Sequence, residues 1–252
     1  MARIKLIVAY DGTNYSGWQV QNNGITIEGV LNKELSELLG EDIMVIGASR
    51  TDAGVHSMGN VCVFDSDTRI PAEKICFAMN ARLPEDIRVI ESCEVEADFH
   101  PRHVDSVKTY EYHIWNDRFQ NPMVRLYTKF TYQKLDVDKM QEAADILVGE
   151  HDFASFCSAG SSATTTVRTI TELKVFRDEN EPRHIIIRVS GNGFLYNMVR
   201  IISGTLIEIG DGSREVSDMK DILEAKDRSA AGRTAEASGL RMIGIRFFTK
   251  TL

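Results

Sequence analysis

The sequence predicts an α+β protein of two similar halves, each running β-α-β-β-α-β. Three observations carry this. Short apolar runs alternate with period two and are bounded by Gly, Pro, Asn and Asp, as strands are. Between them, apolar residues recur at helical spacing behind capping residues. The same succession of runs then appears twice along 252 residues.

In the first half, Ile4, Leu6, Val8 and Tyr10 share one face of a strand. The loop DGTNYSGWQVQNN follows, and then Ile27, Val30, Leu31, Leu35, Leu38 and Leu39 predict a helix that Thr26 caps and Gly40 ends. Strands are expected at 43–48 and 60–65, on either side of the loop ASRTDAGVHS. A helix over 72–82 stops before Pro84, and a strand over 87–95 completes the half. The second half opens with a strand at 108–115 and a helix at 137–148, capped by Asp136 and stopped by Gly149. Strands at 167–177 and 184–190, helices at 194–208 and 217–225, and a last strand at 241–248 follow. Two ferredoxin-like, RRM-like units side by side account for this order, with a boundary in the polar stretch 99–105 and domains of residues 1–104 and 105–252.

The composition is that of a globular protein, 43% hydrophobic and 26% charged. No apolar run approaches the ~18 residues that span a bilayer, and MARIKLIVAY reads as a strand rather than a signal peptide. Cys62, Cys76, Cys93 and Cys157 lie far apart, which favours buried reduced thiols over disulfides or a zinc site. A cytoplasmic location is therefore expected. The net charge of −8 argues against a polyanionic partner, but a basic cleft can sit on an acidic surface. Arg50, Arg168, Arg188, Arg200, Arg241 and Arg246 all fall in or beside apolar segments, where a merely solvating charge is out of place.

Most cofactor signatures are missing. GNGFLY (191–196) half-matches a dinucleotide loop, yet a tyrosine stands where the third glycine belongs. P-loop, G-x-S-x-G and C-x-x-C patterns are absent, and His56, His100, His103, His113, His151 and His184 are scattered singly. The loop ASRTDAGVHS is different. Gly54 and Gly59 already supply the backbone freedom a connection needs, so Arg50, Asp52 and His56 are surplus to it. Arg50 and Asp52, two apart in an extended segment, share a face. A guanidinium there would keep a carboxylate ionised and oriented, as a nucleophile requires. Spacing alone makes Asp52 a candidate catalytic residue and no more.

The motif ASRTDAGVHSMGNVCVFD resembles the signature of the TruA family of tRNA pseudouridine synthases. The likeness runs on through YDGTNYSGWQVQ, MNARLPEDI, KTYEYHIWN, GEHDFASF, GNGFLYNMVRIISGTL and AEASGL, covering nearly the whole chain. Ser57 departs from the family's usual Ala, and HPRHVDSVKTY from its usual F-x-A-R run, without removing a catalytic group. The resemblance implies two antiparallel sheets joined around a central active-site cleft. Asp52 then corresponds to the nucleophilic aspartate. Tyr110 corresponds to the tyrosine that stacks on the target uracil and is a candidate to assist proton removal at C5. Arg200 corresponds to the arginine that pairs with that aspartate, and Arg50 to the one that helps displace the base. The substrate implied is the anticodon stem-loop of tRNA, bound by a homodimer, with no metal, nucleotide or redox cofactor and no membrane. Two rivals are an RNA N-glycosidase using Asp52 and a non-catalytic RNA-binding module, although no RNP1-type strand is present.

Overall fold

A computed structural model describes residues 1–248. The chain forms two compact units, Met1–Ser106 joined by the segment from Met242, and Val107–Arg241.

In the first unit, β1 (Ala2–Tyr10) lies antiparallel between β4 (Ile87–Val95) and β3 (His56–Ser66). A two-residue strand, β2 (Ile46–Gly47), pairs with β3, and β10 (Leu240–Phe247) follows β3 in the order β4-β1-β3-β10. The alternation read from the sequence holds: Ile4, Leu6, Val8 and Tyr10 are buried. They meet Ile27, Leu31 and Leu35 of α1 (Ile27–Leu39) and Ile75 and Met79 of α2 (Ile75–Asn80) in one core. Thr26 caps α1 by accepting from the Gly29 N–H, and Gly40 ends it at φ 69°.

Three expectations shift in this unit. The strand expected over 43–48 shrinks to two residues because α1 takes its donors. The Ile43 N–H donates to Ser36 Oγ at 2.9 Å and the Val45 N–H to Asn32 Oδ1 at 2.8 Å. β3 starts at His56 rather than 60, so the loop's last residues already belong to the sheet. The helix over 72–82 becomes a 3₁₀ turn, Ala72–Lys74, followed by the short α2. The side chain of Asn80, the last residue of α2, exchanges two 2.8 Å hydrogen bonds with the Val89 backbone.

In the second unit, β5 (Ser106–Asn116), β9 (His184–Gly191), β8 (Val167–Arg177) and β7 (Gly149–Asp152) form an antiparallel run in that order. A short parallel strand, β6 (Lys129–Thr131), lies beside β5. Neither β6 nor β7 shows in the sequence, since Lys-Phe-Thr and Gly-Glu-His-Asp carry no run of alternating apolar residues. α3 (Val137–Asp145) is capped by Asp136 as expected but ends three residues early. Gly149, at φ 116°, opens β7 rather than stopping the helix. α4 (Met198–Gly210) starts four residues later than expected because Asn197 sits in the left-handed region at φ 60°. α5 (Asp218–Ala225) follows. α4 is buried on nearly every side, and at Gly204 a Cβ would meet the Arg233 carbonyl oxygen at 1.8 Å. Of the four free thiols, Cys62 and Cys76 are buried, but Cys93 and Cys157 are only half-buried, contrary to expectation.

β5 and β9 also carry a polar chain, buried at Glu111 and His113. Arg188 donates to Glu111 at 2.7 Å, His113 Nε2 lies 3.0 Å from Glu111, and His113 Nδ1 lies 2.7 Å from His184 Nε2. Burial works against ionising Glu111, yet the hydrogen bonds from His113 and Arg188 outweigh it and hold its carboxyl at about 2. Burial pushes His113 down to about 4, against the pull of Glu111. The folded state therefore binds a proton at His113 less readily than the unfolded chain does. The stability this confers is complete above the unfolded value of 6.5 and is lost as pH falls from there toward about 4. At pH 5 the loss is about 2 kcal/mol. Thermal melts at pH 7 and pH 5 should show His113→Gln, which can still donate to Glu111, losing less stability on acidification than the parent protein.

Candidate functional site

Residues 48–55 join β2 to β3. Their burial alternates: Ser49 and Thr51 point inward, Arg50 is exposed and Asp52 half-buried. Arg50 and Asp52 thus lie on the outward side of the loop, as the two-residue spacing predicts. The chain turns back at Gly54, whose φ is 78°, with the Val55 N–H donating to the Asp52 carbonyl at 3.1 Å.

What shapes this loop is the segment after β1. The Trp18 N–H donates to the Thr51 carbonyl at 3.0 Å, and the Gly54 N–H donates to the Tyr15 carbonyl at 3.2 Å. The two backbones run so close that only glycine fits at two points. A Cβ on Gly12 would stand 2.0 Å from the Val55 oxygen, and one on Gly17 would stand 2.5 Å from the Thr51 oxygen. His56 joins the bracket. Its Nδ1 accepts from the Gly12 N–H at 3.1 Å, and an Asp11 carboxylate oxygen lies 3.1 Å from the same nitrogen. The histidine of the motif is therefore a buried fastener for residues 11 and 12.

Two side chains from the strands beneath complete the hold. Tyr10 Oη and Thr51 Oγ1 are 2.8 Å apart, and Asn60 Nδ2 donates to the Ser49 carbonyl at 3.0 Å. A register shift in the β1–β3 pairing between Val8 and Tyr10 sets Tyr10 opposite Ser57. Among the described residues, Trp18 Nε1 and Ser49 Oγ are buried without a hydrogen-bond partner, so this region carries desolvated polar groups.

The other two residues singled out from the sequence belong to the second unit. Tyr110 lies on β5 opposite Val189 of β9 and is buried. Phe194 packs its ring against Tyr110 edge to face, with centroids 5.3 Å apart and planes at 84°. Arg200 stands in the first turn of α4. Its Nε donates to the Ala235 carbonyl at 2.8 Å and a terminal nitrogen donates to Asn197 Oδ1 at 2.9 Å, while the Ala235 N–H returns a bond to the Arg200 carbonyl at 3.1 Å. This pins the guanidinium stem and fixes its direction. Sequence reasoning did not single out Tyr10, Thr51, Asn60 or Phe194 individually. The closely spaced glycines of DGTNYSG were the one available sign that a backbone had to come near.

The model of the tRNA pseudouridine synthase family matches residues 6–103 and 143–247. A tRNA pseudouridine synthase A of Thermoanaerobacter sp. is 45% identical over 245 residues, covering 97% of this chain and 99% of that protein. The protein of the same name from Acetivibrio thermocellus is 44% identical over 247 residues, 98% and 100% of the two chains. That of Brevibacillus brevis is 46% identical over 242 residues, 96% and 98%.

The close approach at Gly12 is testable apart from any activity. Gly12→Ala drives a methyl into a backbone oxygen that cannot swing aside, and should destabilise by about 2–4 kcal/mol. Gly244→Ala, with nothing within 4 Å of the added carbon, should stay within about 0.5 kcal/mol of the parent. Equal denaturation midpoints for the two variants would contradict the packing described.

Proposed function

As a member of the tRNA pseudouridine synthase family, the chain is an isomerase that converts uridine to pseudouridine in tRNA, and we propose that its target lies in the anticodon stem-loop, that it works as a cytoplasmic homodimer, and that Asp52 is the nucleophile. The observation that carries the assignment of Asp52 is the loop itself: a carboxylate held outward on a backbone tied down from both sides. Exposed Phe119, Met123 and Tyr132 offer apolar surface of the kind a second copy covers, which supports the dimer.

The reaction leaves the composition of the RNA unchanged. The C1′–N1 bond breaks, the uracil turns, C1′ bonds to C5, the C5 proton leaves for solvent and N1 takes one up. A paired uridine is out of reach, so the base must leave its stack at a cost of a few kcal/mol. Tyr110 then stacks on the extruded uracil, with the edge of Phe194 keeping its ring in one plane. Exposed Arg50 fills the vacated space or holds the backbone, and Arg200 is a further substrate-binding cation. Asp52 supplies the negative charge that opens the glycosidic linkage, a role for which an ionised carboxylate is suited and an amide is not. The chemistry calls for no nucleotide, redox group or metal.

Asp52→Asn should abolish turnover while tRNA affinity stays within about threefold, because the amide is nearly isosteric and RNA contacts are spread over many basic side chains. With tRNA tritiated at uracil C5, the parent protein should release tritium one-for-one with pseudouridine and without free uracil, while unlabelled tRNA should keep its mass. Uracil release would instead indicate a glycosidase, and residual activity of Asp52→Asn above about a tenth of the parent's would remove the residue from its role. Binding should also weaken steeply with salt despite the net charge of −8. Log affinity should fall against log salt by roughly 0.7–0.9 per phosphate contacted. A flat dependence would mean that the acidic surface, not a basic one, meets the RNA.

A further inference from the structure

We propose that Tyr10 and Thr51 are positioning residues for the catalytic step, a buried hydroxyl pair that sets how far Asp52 reaches toward the ribose. The inference rests on Asp52 being the nucleophile. Thr51 immediately precedes Asp52, and its side chain turns inward while the carboxylate turns outward. The carbonyl and the hydroxyl of Thr51 are both held. Its carbonyl accepts from Trp18, and its hydroxyl lies 2.8 Å from Tyr10 Oη. Tyr10 is 4% exposed, and its ring packs against Trp18 with centroids 6.0 Å apart. Both ends of the hydroxyl pair are therefore anchored in the core, and Asn60 approaches the same phenol oxygen at 3.5 Å while gripping the Ser49 carbonyl on the other side of Arg50.

The physical consequence concerns geometry more than stability. The Trp18 bond holds the carbonyl end of the 51–52 peptide, but Thr51 can still pivot at its Cα and shift Asp52. The Tyr10–Thr51 bond opposes that pivot, because a turned Thr51 buries its hydroxyl away from Tyr10 Oη. Displacing a reacting group by about 1 Å costs on the order of a hundredfold in rate, even when substrate still binds. The pair should accordingly act on kcat and leave KM alone.

Tyr10→Phe, Thr51→Val and the double variant separate positioning from folding. Each single change breaks the Tyr10–Thr51 bond, and Tyr10→Phe strands the Thr51 hydroxyl, whereas the double change removes both hydroxyls and should recover part of the lost thermal stability. If the pair positions Asp52, kcat falls roughly tenfold or more in all three, KM for tRNA stays within about twofold, and the double variant is no slower than the slower single one. Thr51→Ser, which keeps the hydroxyl, restores kcat. The proposal is overturned if the double variant regains kcat along with stability, since the pair would then matter only for folding, or if Thr51→Val turns over at the parent rate. Asp52→Asn measured alongside distinguishes the two levels. Turnover by Asp52→Asn would remove the nucleophile assignment itself. An inactive Asp52→Asn beside a fully active Thr51→Val would remove only the positioning role.

Discussion

The closeness of two backbones, residues 11–18 and 51–55, is the constraint on which the first unit's chemistry depends. Peptide groups can lie this near each other only where no Cβ intervenes, and Gly12 and Gly17 meet that condition against Val55 and Thr51. The approach lets Trp18 and Tyr15 pair with the loop through main-chain groups, which keep their geometry better than long side chains would. A loop that carries an arginine and a carboxylate to the surface is thereby as well fixed as a strand. Rigidity of this kind suits the nucleophilic role proposed for Asp52, because effective concentration is lost with small displacements.

The second unit uses different means to a similar end. Its charged residues are fixed chiefly by the hydrogen bonds their own side chains make. Glu111 stands on the strand next to Tyr110 and is tied across to Arg188 of β9, which locks the register of the pair of strands that carries the tyrosine. Arg200 is clamped by Asn197 and the Ala235 carbonyl at the start of a helix that cannot shift, because its other faces are packed. Asn197 combines two duties. Its left-handed backbone delays the start of α4, and its side chain orients the guanidinium and also donates to Ser158.

Much of this was legible in the sequence. The apolar runs of β1, β4, β8 and β9, and the caps at Thr26, Gly40 and Asp136, depend on neighbours a few residues away, so local pattern suffices for them. The outward pairing of Arg50 and Asp52 also follows from spacing alone. Where the sequence reading went astray, a partner distant along the chain had intervened. Asn32 and Ser36 of α1 claim the donors that would have extended β2. The Val89 backbone engages the Asn80 side chain where α2 ends, and β8 recruits a four-residue strand, β7, that has no apolar alternation of its own.

By itself, then, the sequence determined the class of fold, the order of its principal elements, the motif that marks Asp52 and Arg50, and through that motif the family. These are properties of residue type and short spacing. Only the tertiary structure decided that His56 is a fastener, that Tyr10 reaches Thr51 across 41 positions, and that Phe194 sets the plane of Tyr110. The reason is physical. A hydrogen bond or ring contact between residues far apart in the chain depends on strand register and on a register shift at the end of β1, and a shift of one residue would turn each of these side chains to the opposite face.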